Sequence, residues 1–236
     1  MLVNLLLPIP PRHSTNLFIP EEYAENRNLV DLVQRIVDKL SVESLDKNTL
    51  LFSIILSLLK DRKLVSFNEV KCESDIDCKN DIIKKEIKWW YEKTAGKICE
   101  EKYNELLFLS LPFVEDVLGL IYQSIRIEGN KAEAGAYYTP KQIVDEIIKD
   151  CVKVDSLVLD PCCGTGQFLL SALDTVKEPS NIWGFDIDET AVRLARINVL
   201  LKFPRLNFTP NIFCKNTLLI ESSNNLFSNE HIPLFD

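Results

Sequence analysis

Residues 157–170 read LVLDPCCGTGQFLL. Leu157 to Leu159 have the composition of a short buried strand. An acid, a proline and two cysteines follow, and Gly164-Thr165-Gly166 then opens an apolar helical run. In a parallel sheet the ligand crevice lies at the carboxyl ends of the strands, where glycine lets the backbone approach a ligand with no Cβ between them. A lone GxG also serves ordinary tight turns, so the next strand decides the reading. It lies in NIWGFDID and ends at Asp186, 20 residues beyond Gly166, matching the ~20 residues at which an acid accepts hydrogen bonds from a ribose. A carboxylate suits a diol because it only accepts, while both hydroxyls donate. Asp188 precedes Glu189 and Thr190 at a helix start, and its expected use is an N-cap. The competing account of these features is turns and two caps, with no ligand.

Outward from this stretch, short apolar runs alternate with helical ones: Leu157 to Leu159, Gly166 to Val176, Ile182 to Ile187, Thr190 to Phe203 and Asn211 to Cys214. The alternation predicts an α/β unit, a parallel sheet with crossover helices. Upstream, IEGNKAEAGAYYTP ends in a helix-start signature, with Thr139 as N-cap, Pro140 at the first helical position and Gln142 completing a capping box. The helix after it should bury Ile143, Val144, Ile147, Ile148 and Cys151. From Arg27 to Arg126 the period is helical, over Leu29 to Leu40, Lys47 to Lys60, Asp81 to Lys93, Lys97 to Leu109 and Phe113 to Arg126, with a break at Pro112. Trp89, Trp90 and Tyr91 point in different directions on one helix, so they are expected to pack rather than to stack on bases. The division falls near residue 130, giving an N-terminal helical domain over 1–129 and an α/β domain over 130–236.

Composition narrows the class. The 236 residues are 46% hydrophobic, enough for a sizeable core. The longest apolar run, Leu50 to Leu59, is interrupted by two serines and falls short of the ~20 residues that a bilayer requires, which predicts a buried helix and no membrane. The first residues, MLVNLLLPIPPRHS, lack a basic start and carry three prolines where a secretory signal would have a clean apolar segment and a cleavage site. Seven irregularly spaced cysteines, two of them adjacent, read as reduced thiols of a cytoplasmic protein, without a metal site. The net charge of −8 is spread evenly, with 17 basic and 21 acidic residues up to Asn130 and 10 and 14 beyond it. Neither half carries the basic surplus that neutralises phosphates, so a grip on DNA would come from elsewhere.

The ligand class follows from what the loop lacks. A dinucleotide fingerprint has a third glycine, but here Gln167, Phe168 and Leu169 follow Gly166, and Asp160 before the turn would repel a diphosphate. The arrangement suits a ribose and a cationic group without phosphate, as in S-adenosylmethionine. Cys162 and Cys163 read as small loop residues, because the only histidines are His13 and His231.

These residues carry a resemblance. DPCCGTGQFL resembles the first cofactor motif of adenine-N6 DNA methyltransferases, GFDID their second, and GAYYTP the segment that precedes the sheet in the same subgroup. VLGLIYQSIR is similar to the helix before that segment in type I modification subunits and fused type IIG enzymes. The resemblance spans roughly residues 113 to 236, and motifs in order are far more specific than any one alone. It implies a Rossmann-like methyltransferase domain dependent on S-adenosylmethionine, of which the sequence holds the first half. It also implies that Tyr138, Thr139 and Pro140 border the methionine end of the cofactor. Asp160, Pro161, Cys163, Gly164, Thr165, Gly166 and Phe168 then form the first loop, and Asp186 with Ile187 takes the ribose and one adenine face. Asn216, with Thr217 and Leu218 after the third strand, stands where the family often has an aspartate on the adenine amine. An asparagine oxygen still accepts that bond, without charge assistance.

The family orients its target amine with an Asn/Asp/Ser-Pro-Pro-aromatic tetrapeptide, and none occurs here. Pro10-Pro11 and Asn207-Phe208-Thr209-Pro210 are coincidences, and HIPLFD resembles the start of the fourth strand. The expectation is a fragment that carries the cofactor-binding half, has no catalytic residue of its own and transfers no methyl group alone. Double-stranded DNA would be reached through regions or subunits outside the chain, with specificity or restriction subunits as partners. An incomplete sheet also predicts self-association. The alternatives are a non-catalytic S-adenosylmethionine-binding or assembly subunit, and a methyltransferase acting on a protein amide.

Overall fold

The apolar run from Leu50 to Leu59 forms the middle of helix α2 (Lys47–Asp61), in which every residue from Thr49 to Leu59 is buried. The computed structural model describes residues 27–111, 116–129 and 139–218. Its two serines stay satisfied inside the core, since Ser53 Oγ donates to the Thr49 carbonyl and Ser57 Oγ to that of Leu109. Asp46 caps the helix by accepting from Thr49 N–H, a contact of the kind that contributes about 1 kcal/mol. Around α2 stand α1 (Arg27–Val42), α3 (Asp81–Lys93), α4 (Asn104–Leu107) and α5 (Val117–Gly129), with a small antiparallel pair, β1 (Val65–Ser66) and β2 (Asp77–Cys78). Trp90 is fully buried, and Trp89 and Tyr91 lie half-buried against the same core, so this aromatic run packs as expected.

One helix expected over Lys97 to Leu109 is instead two short 3-10 turns, Lys97–Cys99 and Glu101–Tyr103, followed by α4. Glu100 between them is extended at φ −71° and ψ 135°. The break turns the Tyr103 hydroxyl inward, where it accepts from Asp46 N–H at 2.8 Å, a contact that a continuous helix would not be obliged to make. The expected break at Pro112 lies outside the described residues.

In the second half α6 (Lys141–Cys151) precedes three parallel strands, β3 (Val158–Asp160), β4 (Ile182–Asp186) and β5 (Asn211–Cys214), in the order β3-β4-β5. Helix α7 (Gln167–Thr175) joins the first two strands and α8 (Glu189–Lys202) the last two. The expected cap of α6 is corrected: Pro140 itself occupies the cap position with extended ψ 136°, and no side chain caps the helix. The N–H groups of Ile143 and Val144 bond the Pro140 carbonyl instead, which leaves Gln142 exposed. The buried face is also narrower than expected, with Val144 and Ile148 inside but Ile147 at 43% exposure and Cys151 in solvent.

Alternation along the strands divides the sheet. Ile182 and Ile212 pack with Leu169, Leu170 and Leu173 of α7 and with Val192, Ala195 and Val199 of α8. Trp183 and Phe185 point the other way and cluster with Leu157 and Phe213. Helix α8 buries apolar residues on two sides because it is covered twice. Its Leu194, Ile197, Leu200 and Leu201 belong to the core of the N-terminal helices. Glu86 of α3, fully buried, ties the same helix down by accepting from Arg193 and Arg196. Among the described residues no helix is long and apolar enough to cross a membrane.

Candidate functional site

The carboxyl ends of β3, β4 and β5 meet at one edge of the sheet, because Asp160 pairs with Gly184 and Asp186 with Cys214 in parallel register. The connections beyond them are stitched together. Cys163 N–H donates to the Phe185 carbonyl at 2.8 Å, Lys215 N–H to the Asp186 carbonyl at 2.9 Å, and Thr217 Oγ1 to the Pro161 carbonyl at 3.2 Å. Thus the loop after each strand is anchored on its neighbour.

Asp186 is the centre of this edge. Its Oδ2 accepts from Gly164 N–H at 2.8 Å and its Oδ1 from Asp188 N–H at 2.9 Å. Each oxygen has one partner, and a carboxylate offers about four acceptor positions, so capacity remains for two hydroxyl donors. Asp188 caps α8 as expected, its Oδ1 accepting from Thr190 N–H and Ala191 N–H. Its other oxygen accepts from the Tyr122 hydroxyl at 2.7 Å.

The glycines divide by task. Gly164 has φ +52°, and a Cβ built on it meets nothing within 4 Å, so its backbone faces open space. Gly166, at φ +93°, starts α7 so close to α8 that its Cβ would lie 3.2 Å from that of Ala195. A Cβ on Gly184 would stand 2.7 Å from Leu169 Cδ1 and 3.0 Å from Cys163 Sγ, which puts the Cys163 side chain beneath the strand. Burial, and then the Asp160 and Asp186 charges, push the Cys163 thiol far above its ordinary value. It remains a protonated packing group.

Of the residues expected at the site, the structure gathers Asp160, Pro161, Gly164, Asp186, Ile187, Asn216, Thr217 and Leu218 at this edge. Ile187, directly after β4, is 73% exposed, and Leu218, in the turn that follows β5, is 87% exposed. Asn216 Oδ1 accepts from Leu218 N–H at 3.0 Å, which closes an Asx turn. Thr139 and Pro140 lie half-buried just before α6, and Tyr138 is outside the described residues. Two side chains turn elsewhere: Phe168 packs on the sheet core, and the buried Thr165 hydroxyl donates to Asp116 Oδ2 at 2.9 Å. Asp116, Tyr122 and Asn198 are contacts that the sequence reading passed over. A signal existed for two of them, in an aspartate directly ahead of an apolar helix and an asparagine inside the otherwise apolar INVLL of α8.

Asp160 supplies a pH test. Burial, with a contribution from the Asp186 charge, raises its pKa, although Cys162 N–H donates to it. A carboxyl with a raised folded pKa contributes stability below its unfolded pKa, and that contribution is lost as pH rises through the folded value. Asp160→Asn keeps the acceptor and stays neutral, so its melting temperature should exceed the parent's at neutral pH, with the gap closing on acidification. Thermal scans from pH 4 to pH 8 measure it, and a gap that widens in acid refutes the assignment. Among the described residues no group of three or more His, Cys, Asp or Glu side chains is placed to hold a metal ion.

The model of the N-6 DNA methylase family matches residues 114–232, half of the chain and all three strands of the parallel sheet. The chain belongs to the N-6 DNA methylase family. It is 42% identical over 80 residues to the type II methyltransferase M.VspI of Vibrio sp. (strain 343), a match covering 32% of this chain and 19% of that one. It is 29% identical over 110 residues to the type I restriction enzyme MjaIX methylase subunit of Methanocaldococcus jannaschii, covering 43% and 20%. The chain therefore spans about a fifth of the length of these relatives. Its fold is shared with a structure described as a modification subunit of a type I restriction enzyme from Vibrio vulnificus YJ016, at TM-score 0.53 and 15% identity, over 80% of this chain and 56% of that one.

Proposed function

We propose that this chain carries the S-adenosylmethionine-binding part of an adenine-N6 DNA methyltransferase of a restriction-modification system. In this proposal residues 130–236 are the first half of a Rossmann-like domain, and residues 1–129 are a helical domain joined to it through α8. The observation that carries the proposal is the strand-end edge. A doubly anchored Asp186 has acceptor capacity to spare, the Gly164 backbone faces open space, and Ile187 and Leu218 stand exposed beside them. Exposed apolar side chains next to a carboxylate fit a nucleoside, which presents a flat base and a diol to the same edge. Asp160 and Asp186 make that edge acidic, which favours a sulfonium and amino group and disfavours phosphate.

When bound, the cofactor supplies an electrophilic methyl group. The residues assigned here bind and orient it: Asp186 accepts from the ribose, Ile187 and Leu218 flank the adenine, and Asp160 with the Gly164 backbone lines the methionine side. Asn216 uses its oxygen within its own turn, and Thr139 and Pro140 border the edge in this account. Orientation of the adenine amine is not assigned to these residues, since the sequence holds no Asn-Pro-Pro-aromatic tetrapeptide. Double-stranded DNA and specificity or restriction subunits are the partners proposed for the whole enzyme, in the cytoplasm, and the chain's net charge of −8 is consistent with DNA being gripped by other parts.

Titration calorimetry with S-adenosylhomocysteine tests the proposal. Asp186→Ala removes acceptor bonds to the ribose and the tie to Gly164. At about 1.5 to 3 kcal/mol for a bond to a charged group, affinity should fall at least tenfold. Asp188→Ala removes an N-cap and should cost about 0.5 to 2 kcal/mol of stability with a smaller loss of affinity. A larger loss at Asp188 would show that the wrong carboxylate is assigned, and no binding by the parent chain would overturn the proposal.

A further inference from the structure

A buried polar cluster lies where α5, the first loop and α8 meet. Asp116, 6% exposed, stands just before α5 and accepts from Gly119 N–H at 2.9 Å, from Thr165 Oγ1–H at 2.9 Å and from Asn198 Nδ2–H at 2.6 Å. Asn198 also donates to the Thr165 carbonyl at 3.1 Å, so Thr165 is held by both its side chain and its backbone. One turn on from Gly119, Tyr122 donates to Asp188 just beyond β4. Asp116, Gly119 and Tyr122 are spaced by three residues and share one side of the helix. Gly119 makes the approach possible, because a Cβ there would lie 2.2 Å from both Asp116 Oδ2 and Thr165 Oγ1.

We infer that α5 is a splint for the two cofactor loops, with Asp116 and Tyr122 as positioning residues for cofactor binding. The inference rests on the cofactor reading above. What separates it from ordinary core packing is where the bonds end. Thr165 lies between Gly164 at φ +52° and Gly166 at φ +93°, and glycine leaves such a segment a wide choice of backbone conformations. The one side chain inside the Gly-Thr-Gly turn is the one that α5 holds. Through it α5 sets where Gly164 N–H points, and that N–H is the donor that meets Asp186 across the edge. Through Tyr122 and Asp188 the same helix braces the other side, since Asp188 N–H bonds Asp186 Oδ1. Asp186 is thus aimed from both sides by one helix of the N-terminal half. Neither Asp116 nor Tyr122 belongs to the strand-end edge itself.

The test uses the whole chain with Thr165→Val, which keeps the shape and removes the hydroxyl, Thr165→Ser, which keeps the hydroxyl, and Tyr122→Phe. Each is titrated with S-adenosylhomocysteine and followed by amide hydrogen exchange. Thr165→Val should bind about tenfold more weakly, with faster exchange over residues 160–168 and unchanged exchange over α2, and Thr165→Ser should restore both to within about threefold. Tyr122→Phe should weaken binding by about threefold, as for the loss of one part-buried bond, and it decides the matter should Thr165→Val fail to fold. Parental affinity and parental exchange in the Val and Phe variants would overturn the splint. If the parent does not bind while Thr165→Val still loosens residues 160–168 and Thr165→Ser repairs them, the cofactor reading fails and the mechanical role of α5 stands.

Discussion

Replacing Glu86 with alanine should lower the melting temperature by about 6 to 12 °C, from a loss of about 3 kcal/mol and a sensitivity of about 2 to 4 °C per kcal/mol for a chain of this size. Glu86 is fully buried on α3 and bonds Arg196 Nε at 2.6 Å and Arg193 Nη1 at 3.1 Å. Desolvating three charges is expensive, so the intact triad need not stabilise the fold relative to an apolar one. Removing its centre is different, because two guanidinium groups then stay in place without their counter-charge. Both are held there by further contacts: Arg193 stacks on Trp89 at 4.9 Å, and Arg196 Nη1 bonds the Ile212 carbonyl at 3.3 Å. Their side chains keep 26% and 16% exposure, so some rehydration is possible and the loss belongs at the low end of the about 3 to 5 kcal/mol seen for broken buried pairs. Replacing all three residues with leucine or methionine should recover much of the loss. Urea and thermal unfolding of the single and triple variants measure both effects, and a single variant that melts with the parent would refute the account.

Gly119→Ala should also destabilise, by about 3 kcal/mol, although alanine is the better helix former by about 1 kcal/mol. The built Cβ would lie 2.2 Å from two oxygen atoms that bond each other and 2.5 Å from Asp116 Cγ. Forcing a methyl group into packed surroundings costs about 1 to 3 kcal/mol, and parting Thr165 from Asp116 strands a buried carboxylate oxygen at about 1 to 3 kcal/mol more. The clash therefore outweighs the helical gain. Adding Thr165→Ala opens the space, so the double variant should be less destabilised than the sum of the two single losses. Denaturant midpoints for the four species give that coupling, and strict additivity would mean that the contact is absent.

The chain by itself determined the elements whose cause is local. Leu157 to Leu159, Ile182 to Ile187 and Asn211 to Cys214 became the three strands within a residue or so, and the NIWGFDID stretch placed Asp186 at a strand end and Asp188 at a helix cap. Each follows from periodicity, from a short side chain that satisfies nearby N–H groups, or from glycine's freedom at positive φ. Where a local signal competed with a tertiary one it misled. Thr139 and Gln142 spell a capping box, but Pro140 in an extended conformation moved the helix start by a residue, and Tyr103 broke a helical period to reach Asp46.

Only the tertiary structure decided what Thr165 does. From its place between two glycines it reads as a ligand contact, and its hydroxyl in fact points to an aspartate 49 residues earlier. The same holds for Asn198 and Asp116, 82 residues apart, and for Glu86 with Arg196, 110 residues apart. No pattern in the chain announces such pairs, because a buried hydrogen bond is set by which surfaces meet, whereas periodicity reports only that a residue faces inward. The motifs therefore marked the two loops. Which helix holds them in place followed from the packing of α5 against α8.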